Sequence, residues 1–484
     1  MPLRRLFLSV LVAVALVVPA ASQAPDRSQP PKPGPPPALK LPPIQKKALA
    51  SGVPVWIVEM HEVPVVEVDL LLGAGAAADP AGKFGAASLT SAMLDEGAGT
   101  RTALEIADAI DYLGATLNTN SSFDASSIGL WVPVARLGEA LPIMADVALR
   151  PTFPQQELER LRKERLTGLL QARDDPRAIV DQAFPRIVYG AQYRYGVSAI
   201  GTPAAVKAMS AEDLRSFYGT YYRPSNAALV VVGDVKAETV MPMLESAFGS
   251  WKAAGSAPPP PALPDAPQLA ARQVYIIDKP GAPQSQIRIG DVGVARSTPD
   301  YFTIEVLNTI LGGSFTSRLN QNLREQHGYT YGANSAFAMR MAAGPFLAGA
   351  GVQSDKTADA LREFFNEFNG IAKPVPADEL ARAKNYVALG FPGQFETTGD
   401  VTRKLAELII YHLPDDSFST YTPRIEAVAS AEVLKAAQKY IQPGRFAVVV
   451  VGDRKTIEAG IRALNLGPVK VLTVDEALGP AVTP

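Results

Sequence analysis

The sequence predicts an α+β protein built from two homologous domains, each a mixed sheet flanked by helices. Three observations predict this architecture. Short apolar runs typical of strands alternate along the chain with longer amphipathic patterns typical of helices. Several segments of the first half recur, in the same order, in the second half. A proline-rich stretch lies between the two sets of segments, as expected of an interdomain linker.

The internal repeat is clearest at a valine-rich strand followed by Gly-Asp. Residues 230–234 read VVVGD, and the same five residues return at 449–453, an offset of 219 positions. Residues 210–212, which read SAE, return at 430–432, and residues 55–58 resemble 274–277. Matches in one order at a nearly constant offset indicate a duplicated domain rather than chance similarity.

Local signals justify the elements of the first half in order. An apolar stretch rich in β-branched residues predicts a strand over 65–72, and the next pattern predicts a helix over 84–95, closed near Gly97. Residues 115–120 and 127–132 are typical of paired strands. A long helix is predicted over 154–172, where Pro154 and early acidic residues suit a helix start, and a buried strand over 227–232.

Composition excludes several kinds of function. The 46 Lys and Arg against 48 Asp and Glu give a net charge of −2, so the chain has no basic excess for a nucleic-acid backbone. The absence of Cys excludes disulfides, thiolate metal sites, iron–sulfur clusters and Cys nucleophiles. None of the three histidines, His61, His327 and His412, has another within helical reach, so we interpret each as a surface or capping residue.

The N-terminal segment is predicted to be an export signal. Arg4 and Arg5 precede a 13-residue apolar run over 6–18, and small residues follow Pro19. This order is typical of a cleavable signal peptide, here residues 1–24, and the run is too short to span a bilayer. An uncleaved anchor is the alternative interpretation. We therefore expect a periplasmic or secreted protein without a membrane partner.

Proline-rich stretches define the remaining boundaries. Residues 25–44 are predicted to be a linker, since nine prolines fall within 25–43. Residues 253–272 are predicted to be the interdomain linker, with six prolines within 253–267. The predicted domains are therefore 45–252 and 273–470, followed by a tail over 471–484.

Searches for common catalytic motifs leave two constellations. The chain has no P-loop, no complete dinucleotide fingerprint, no G-x-S-x-G, and neither H-E-x-x-H nor H-x-x-E-H. The first remaining constellation is residues 82–100, in which Ser88, Ser91 and Ala92 share a helix face. The second is residues 311–332, a Gly-Gly turn leading into a helix from about Arg318, with Gly328 placed to end it and an aromatic strand beyond.

Together the two constellations resemble the insulinase/pitrilysin-type metallopeptidases, the inverted-motif zinc proteases. The first matches the family's zinc helix at Gly85, Met93, Leu94, Gly97 and Thr100. The second matches the signature L-G-G-x-x-x-S-R-L-x-x-x-L-R-E-x-x-G-x-x-Y at Leu311, Gly312, Gly313, Ser317, Arg318, Leu319, Leu323, Arg324, Glu325, Gly328 and Tyr331. The resemblance covers about 45–465 and implies that the two domains form a clamshell.

The sequence departs from this family at the metal site. The family's two zinc histidines align with Ser88 and Ala92, its general-base Glu with Ser91, and its distal Glu ligand with Gly168. Hydroxyl, methyl and glycine positions supply neither the donors that zinc needs nor a base for the bound water. The resemblance therefore implies a degenerate zinc motif: this chain binds no metal, and zinc is expected in a partner subunit.

The resemblance also implies roles for residues that are retained. Arg324 and Tyr331 align with the pair that binds substrate backbone and stabilises the oxyanion in related two-chain bacterial proteases. Tyr329 is the less favoured donor. Asn118, Thr119 and Asn120 lie on the strand expected to bind peptide by strand addition. We expect the zinc-free subunit of a heterodimeric metalloprotease that acts on peptides or unfolded polypeptides. The alternatives are a non-enzymatic peptide-binding or structural paralogue and, least favoured, a self-sufficient hydrolase.

Overall fold

The structure is a computed structural model that describes residue 34 and residues 39–252, 255–259 and 262–482. The predicted signal peptide, residues 1–24, lies outside the described residues, as does most of the predicted linker over 25–44. Residues Pro37–Pro484 form one compact unit. Among the described residues, no helix is both long and apolar enough to cross a membrane.

The first half of the chain forms a six-stranded mixed sheet. Its spatial order is β1-β2-β8-β3-β7-β6, in which β2 and β8 are parallel and the other neighbours antiparallel. These strands are β1 (Gln45–Ala48), β2 (Pro54–Glu59), β3 (Val65–Leu72), β6 (Thr116–Ser121), β7 (Ser126–Pro133) and β8 (Ala227–Gly233). The short strands β4 (Gly97–Ala98) and β5 (Arg101–Thr102) pair separately.

The second half repeats this sheet. Its order is β11-β12-β10-β13-β9-β14, so that β9, β13, β10, β12 and β11 take the places of β2, β8, β3, β7 and β6. These strands are β9 (Gln273–Asp278), β10 (Gln284–Val292), β11 (Thr330–Phe337), β12 (Pro345–Gln353), β13 (Ala447–Gly452) and β14 (Val469–Leu472). The shared order confirms the predicted pair of α+β domains, which differ at one sheet edge, where β1 is antiparallel and β14 parallel.

Helices surround both sheets. In chain order they are α1 (Ala86–Ala92), α2 (Ala103–Tyr112), α3 (Leu137–Leu149), α4 (Gln155–Gln171), α5 (Pro176–Tyr189), α6 (Pro203–Ala208), α7 (Ala211–Tyr221), α8 (Ala237–Phe248), α9 (Tyr301–Asn308), α10 (Arg318–Asn320), α11 (Thr357–Ile371), α12 (Ala377–Gly390), α13 (Thr398–Ile410), α14 (Ser417–Ala427), α15 (Ser430–Tyr440), α16 (Arg454–Ala463) and α17 (Val474–Leu478). π-helical turns occur over Thr309–Gly313 and Gln321–Gln326.

Each half covers one sheet face with its own helices and exchanges a helix with the other half. Helix α5 of the first half packs Val180 and Phe184 into a cluster with Val449 and Val451 of β13. Helix α13 of the second half packs Leu405 against the outer face of the first sheet. Strands β8 and β13 are therefore buried on both faces, which explains why they read as unbroken apolar runs.

The predicted strands over 65–72, 115–120, 127–132 and 227–232 and the long helix over 154–172 are confirmed to within one or two residues. The helix predicted over 84–95 is shorter, Ala86–Ala92. Gly85 has a left-handed conformation (φ 102°), which starts the helix late, and the chain beyond Met93 turns towards β4. The helix predicted from Arg318 does begin there but continues as π-helical turns.

Candidate functional site

Helix α1, which carries Ser88, Ser91 and Ala92 of the predicted degenerate motif, is held at its start by a buried ion pair. The Asp79 carboxylate accepts hydrogen bonds from the backbone N–H of Gly85 (2.7 Å) and of Ala87 (2.8 Å). The Arg194 guanidinium lies 2.8 Å from Asp79, and both side chains are buried. A Cβ at Gly85 would lie 2.7 Å from the Ile200 carbonyl oxygen, so both the close approach and the backbone conformation require glycine.

The four positions of the family's metal site do not fit zinc. Ser91 is buried; its Oγ donates to the Asn120 carbonyl oxygen at 3.0 Å and lies 3.2 Å from Tyr222 Oη. Ser88 and Ala92 are half-buried on α1, and Gly168 is exposed on α4. No imidazole or carboxylate stands at any of them, and the buried hydroxyl is already engaged. Across the described residues, no group of three or more His, Cys, Asp or Glu could hold a metal ion.

The three histidines lie in separate places, and two of them have side-chain partners. His61 Nδ1 lies 2.7 Å from Asp234 Oδ1, and this hydrogen bond raises the pKa of the exposed imidazole. The His327 ring stacks on Tyr329 with a centroid distance of 4.9 Å. His412 follows α13 with φ 50°. These placements agree with surface or helix-end roles.

The predicted peptide-binding segment lies beside α1. Asn118, Thr119 and Asn120 belong to β6, the outer strand of the first sheet, and the two asparagine side chains are exposed. The Ser91–Asn120 hydrogen bond joins this strand to α1. Thr119 Oγ1 donates to Asp95 Oδ1 at 3.5 Å, and burial raises the pKa of Asp95. The structure thus brings Ser91 of α1 and the predicted substrate strand together.

Tyr222 lies beside Ser91 and so belongs to the same site, although the sequence alone did not reveal it. Its ring stacks on Tyr218 with a centroid distance of 4.8 Å, its hydroxyl faces Ser91, and burial raises its pKa. It follows α7, 131 positions beyond Ser91. Only the tertiary fold brings the two side chains together, and no local pattern signals the contact.

In the second half, the segment that carries Arg324 is anchored at its start and end. Arg318 donates two hydrogen bonds of 2.7 Å to Glu379 of α12. Gly328, with φ 63°, turns the chain into β11, as predicted for a helix-ending glycine. Asn320 donates to the Phe315 carbonyl oxygen at 2.7 Å and accepts from the Ala333 N–H at 3.3 Å, so it ties the Gly-Gly turn to β11.

Arg324 lies over the Phe315 ring, Tyr331 and Phe315 line one trough, and Arg324 and Tyr331 do not touch each other in any described contact. The Arg324 guanidinium lies 4.5 Å from the Phe315 ring centre, and its side chain is 34% exposed. Tyr331 is 92% exposed and lines a trough together with Phe315. Phe315 and Asn320 organise this region and were not singled out from the sequence. Among the described residues, no hydrogen bond, ion pair or ring contact links Arg324 or Tyr331 to Ser91 or Asn120.

Comparisons with known proteins agree with this geometry. Residues 55–197 match the family profile described as "Insulinase (Peptidase family M16)", and residues 208–387 match "Peptidase M16 inactive domain". An uncharacterized zinc protease of Streptomyces coelicolor is 26% identical over 382 residues, which are 78% of this chain and 82% of that protein. One from Mycobacterium tuberculosis is 24% identical over 424 residues, 87% of this chain and 96% of that protein.

Solved structures with the same fold support the match. A peptidase M16 inactive domain from Pseudomonas fluorescens superposes with a TM-score of 0.78 at 25% identity, covering 84% of this chain and 98% of that one. A protease from Helicobacter pylori superposes with a TM-score of 0.79 at 21% identity, covering 85% and 100%, and supports the fold alone.

Proposed function

Because the chain belongs to the insulinase (peptidase M16) family, we propose that it is the zinc-free subunit of a heterodimeric metalloprotease. It would contribute substrate binding and transition-state stabilisation to peptide hydrolysis at the zinc site of a homologous partner. The N-terminal sequence supports export, so we place this heterodimer in the periplasm or outside the cell.

The observation that carries the proposal is the contrast between the two motifs. The first has lost every donor that could hold zinc, and the hydroxyl of Ser91 is hydrogen-bonded inside the fold. The second keeps its arginine and tyrosine, and both side chains reach solvent. Among the described residues, Arg324 pairs with no carboxylate except that of its neighbour Glu325, at 3.4 Å, so its charge is available to a ligand.

These two side chains suit an oxyanion. A guanidinium stays charged at all physiological pH values, and a phenol O–H is a directional donor. The Phe315 ring beneath Arg324 restricts the guanidinium by a cation–π contact, which favours a defined orientation. Preorganised donors of this kind lower the barrier of acyl transfer when they face the position where negative charge develops. Exposed strand β6 would hold the peptide by main-chain hydrogen bonds.

The test is a reconstitution. The purified chain is assayed alone and with a family member that carries H-x-x-E-H, such as one encoded in an adjacent reading frame. We expect no hydrolysis of an unfolded polypeptide by the chain alone and hydrolysis by the mixture. Arg324→Ala should lower turnover by the mixture about tenfold or more, because a donor to the oxyanion is lost.

The matched control is Arg362→Ala, which removes another partly exposed arginine, paired with Asp359 on α11. It should leave turnover unchanged. If Arg324→Ala also leaves turnover unchanged while labelled peptide still binds, the assisting role is wrong and the chain is a non-enzymatic peptide-binding paralogue. Hydrolysis by the isolated chain, abolished by a chelator, would contradict the proposal altogether.

A further inference from the structure

The trough beside Tyr331 has a volume of about 560 Å³, and its floor combines glycines with long polar side chains. Strand β12 contributes Gly349 and Gly351, which pair in register with Arg288 and Gln286 of β10. A Cβ at Gly349 would lie 2.9 Å from Arg288 Cδ, and one at Gly351 would lie 2.7 Å from Gln286 Nε2. The two glycines therefore let long polar side chains lie flat across the sheet.

The charge of the trough is one-sided. Its lining includes two arginines and no Asp or Glu among the described residues. Arg288 donates to Asp181 of α5 at 2.8 Å, and its side chain is only 11% exposed. Arg177, at the start of α5, is 74% exposed and lies 4.0 Å from the same carboxylate. One aspartate thus serves two guanidinium groups, and the positive charge left over is that of Arg177.

The equivalent place in the first half is covered by a helix and carries Asp69 where the trough has Arg288. There Asp69 of β3 pairs with Gly129 of β7, as Arg288 pairs with Gly349, and its Oδ1 lies 3.7 Å from where a Gly129 Cβ would be. Helix α13 packs on this face of the first sheet. The open trough therefore lies on the sheet of the second half, and its positive charge comes from Arg288 of that sheet and from Arg177 of α5.

We propose that this trough binds a carboxylate of the peptide substrate, with Arg177 as the principal contact and Tyr331 beside the bound chain. The inference rests on the proposed function in taking the ligand to be a peptide. The carboxylate could be an Asp or Glu side chain or the C-terminal group, since both present the same two oxygens to a guanidinium. The trough should prefer acidic peptides to basic ones, because no Asp or Glu among its described lining residues could attract a Lys or Arg side chain of a peptide.

The test measures binding to the whole chain by fluorescence anisotropy. Three labelled peptides of equal length are compared: one with two central Glu and an amidated end, one with Gln in their place and an amidated end, and the Gln peptide with a free C-terminus. We expect a carboxylate peptide to bind about threefold to tenfold more tightly than the amidated Gln peptide, and this difference to shrink at high salt. If the Glu peptide binds more tightly, the bound carboxylate is an acidic side chain; if the Gln peptide with a free end binds more tightly, it is the C-terminal group.

Arg177→Gln should abolish the preference without unfolding the chain, because the side chain is mostly solvent-exposed. Arg362→Gln should retain it. Equal binding of all three peptides, or a preference that survives Arg177→Gln, would overturn this inference and leave the proposed function standing. Failure of every peptide to bind would overturn both, whereas an intact preference without partner-dependent hydrolysis would overturn only the proposed function.

Discussion

At the scale of single residues, two buried carboxylates stand out, because few hydrogen bonds or opposite charges offset the cost of removing them from water. Asp69 on β3 and Asp291 on β10 each have an oxygen without a hydrogen-bond partner. Burial raises the pKa of each to about 7. Glu67 on the same strand adds to the shift at Asp69, whereas Arg445 opposes it at Asp291. Such groups make stability depend on pH.

Asp69→Asn should change that dependence in a defined direction. Because the folded pKa lies above the ordinary value near 4, the folded state keeps its proton between about pH 4 and 7 while the unfolded chain loses it, so stability falls as pH rises through this window. The variant should match the wild type near pH 4 and exceed it above pH 7, by at most about 4 kcal/mol. Urea unfolding at several pH values measures this.

The control for this prediction is Asp355→Asn, at a solvent-exposed carboxylate beside Lys356. It should not give the gain in stability above pH 7 that is expected of Asp69→Asn, because this side chain is mostly solvent-exposed. An Asp69→Asn variant whose stability changes with pH in the same way as that of the wild type would contradict the prediction for Asp69.

The residues at the degenerate motif also predict an insensitivity to metal. A ligand that binds only the folded state raises the melting temperature, by an amount that grows with the logarithm of its concentration relative to its Kd. Since Ser88, Ser91, Ala92 and Gly168 offer no zinc ligand, neither zinc nor a chelator should shift the melting temperature of the purified chain. Scanning fluorimetry with elemental analysis checks this. One tightly held zinc per chain, with a lower melting temperature after chelation, would contradict it.

At the scale of elements, the exchanged helices are the main structural surprise. The helices over 176–189 and 398–410 were not predicted, and an apolar helix face does not by itself specify which sheet it meets. Strands were easier to predict, because alternation and valine runs report burial directly. The Arg324 and Tyr331 positions came from a motif, whereas Phe315, Asn320 and Tyr222 are recognisable only once distant segments are packed together.

The exchange predicts energetic coupling between residues of different halves. Phe184 of α5 and Val449 of β13 belong to one buried cluster. Once one of them is truncated to Ala, truncating the other removes fewer contacts than it would in the wild type. In a double-mutant cycle the pair should show a coupling of about 0.5–3 kcal/mol in urea unfolding. Phe184→Ala combined with Val231→Ala, which lies in the core of the first sheet, should be additive. Additivity of the first pair would contradict the assigned packing.

At the scale of the whole molecule, the two halves share one strand order but differ in the side chains that they expose. The first half retains an exposed edge strand, β6, beside a motif without metal donors. The second half presents Arg324, Tyr331 and an open, positively charged trough. Helix α5 of the first half packs on the second sheet, and α13 of the second half packs on the first sheet. One face of each sheet is therefore covered by a helix from the other half. The two halves therefore share one framework, depend on each other for packing and differ in the side chains that they expose.

This mutual dependence predicts that the halves do not fold separately. Residues 39–252 alone would leave the face formed by Val58, Leu71, Val230 and Val232 without α13, and residues 262–482 alone would leave β13 without α5. Exposed apolar faces of this kind cause aggregation. Each fragment should therefore be insoluble or lack a cooperative unfolding transition, whereas co-expression should give a soluble one-to-one complex. Circular dichroism and size-exclusion chromatography test this, and a cooperatively folded 39–252 fragment would contradict it.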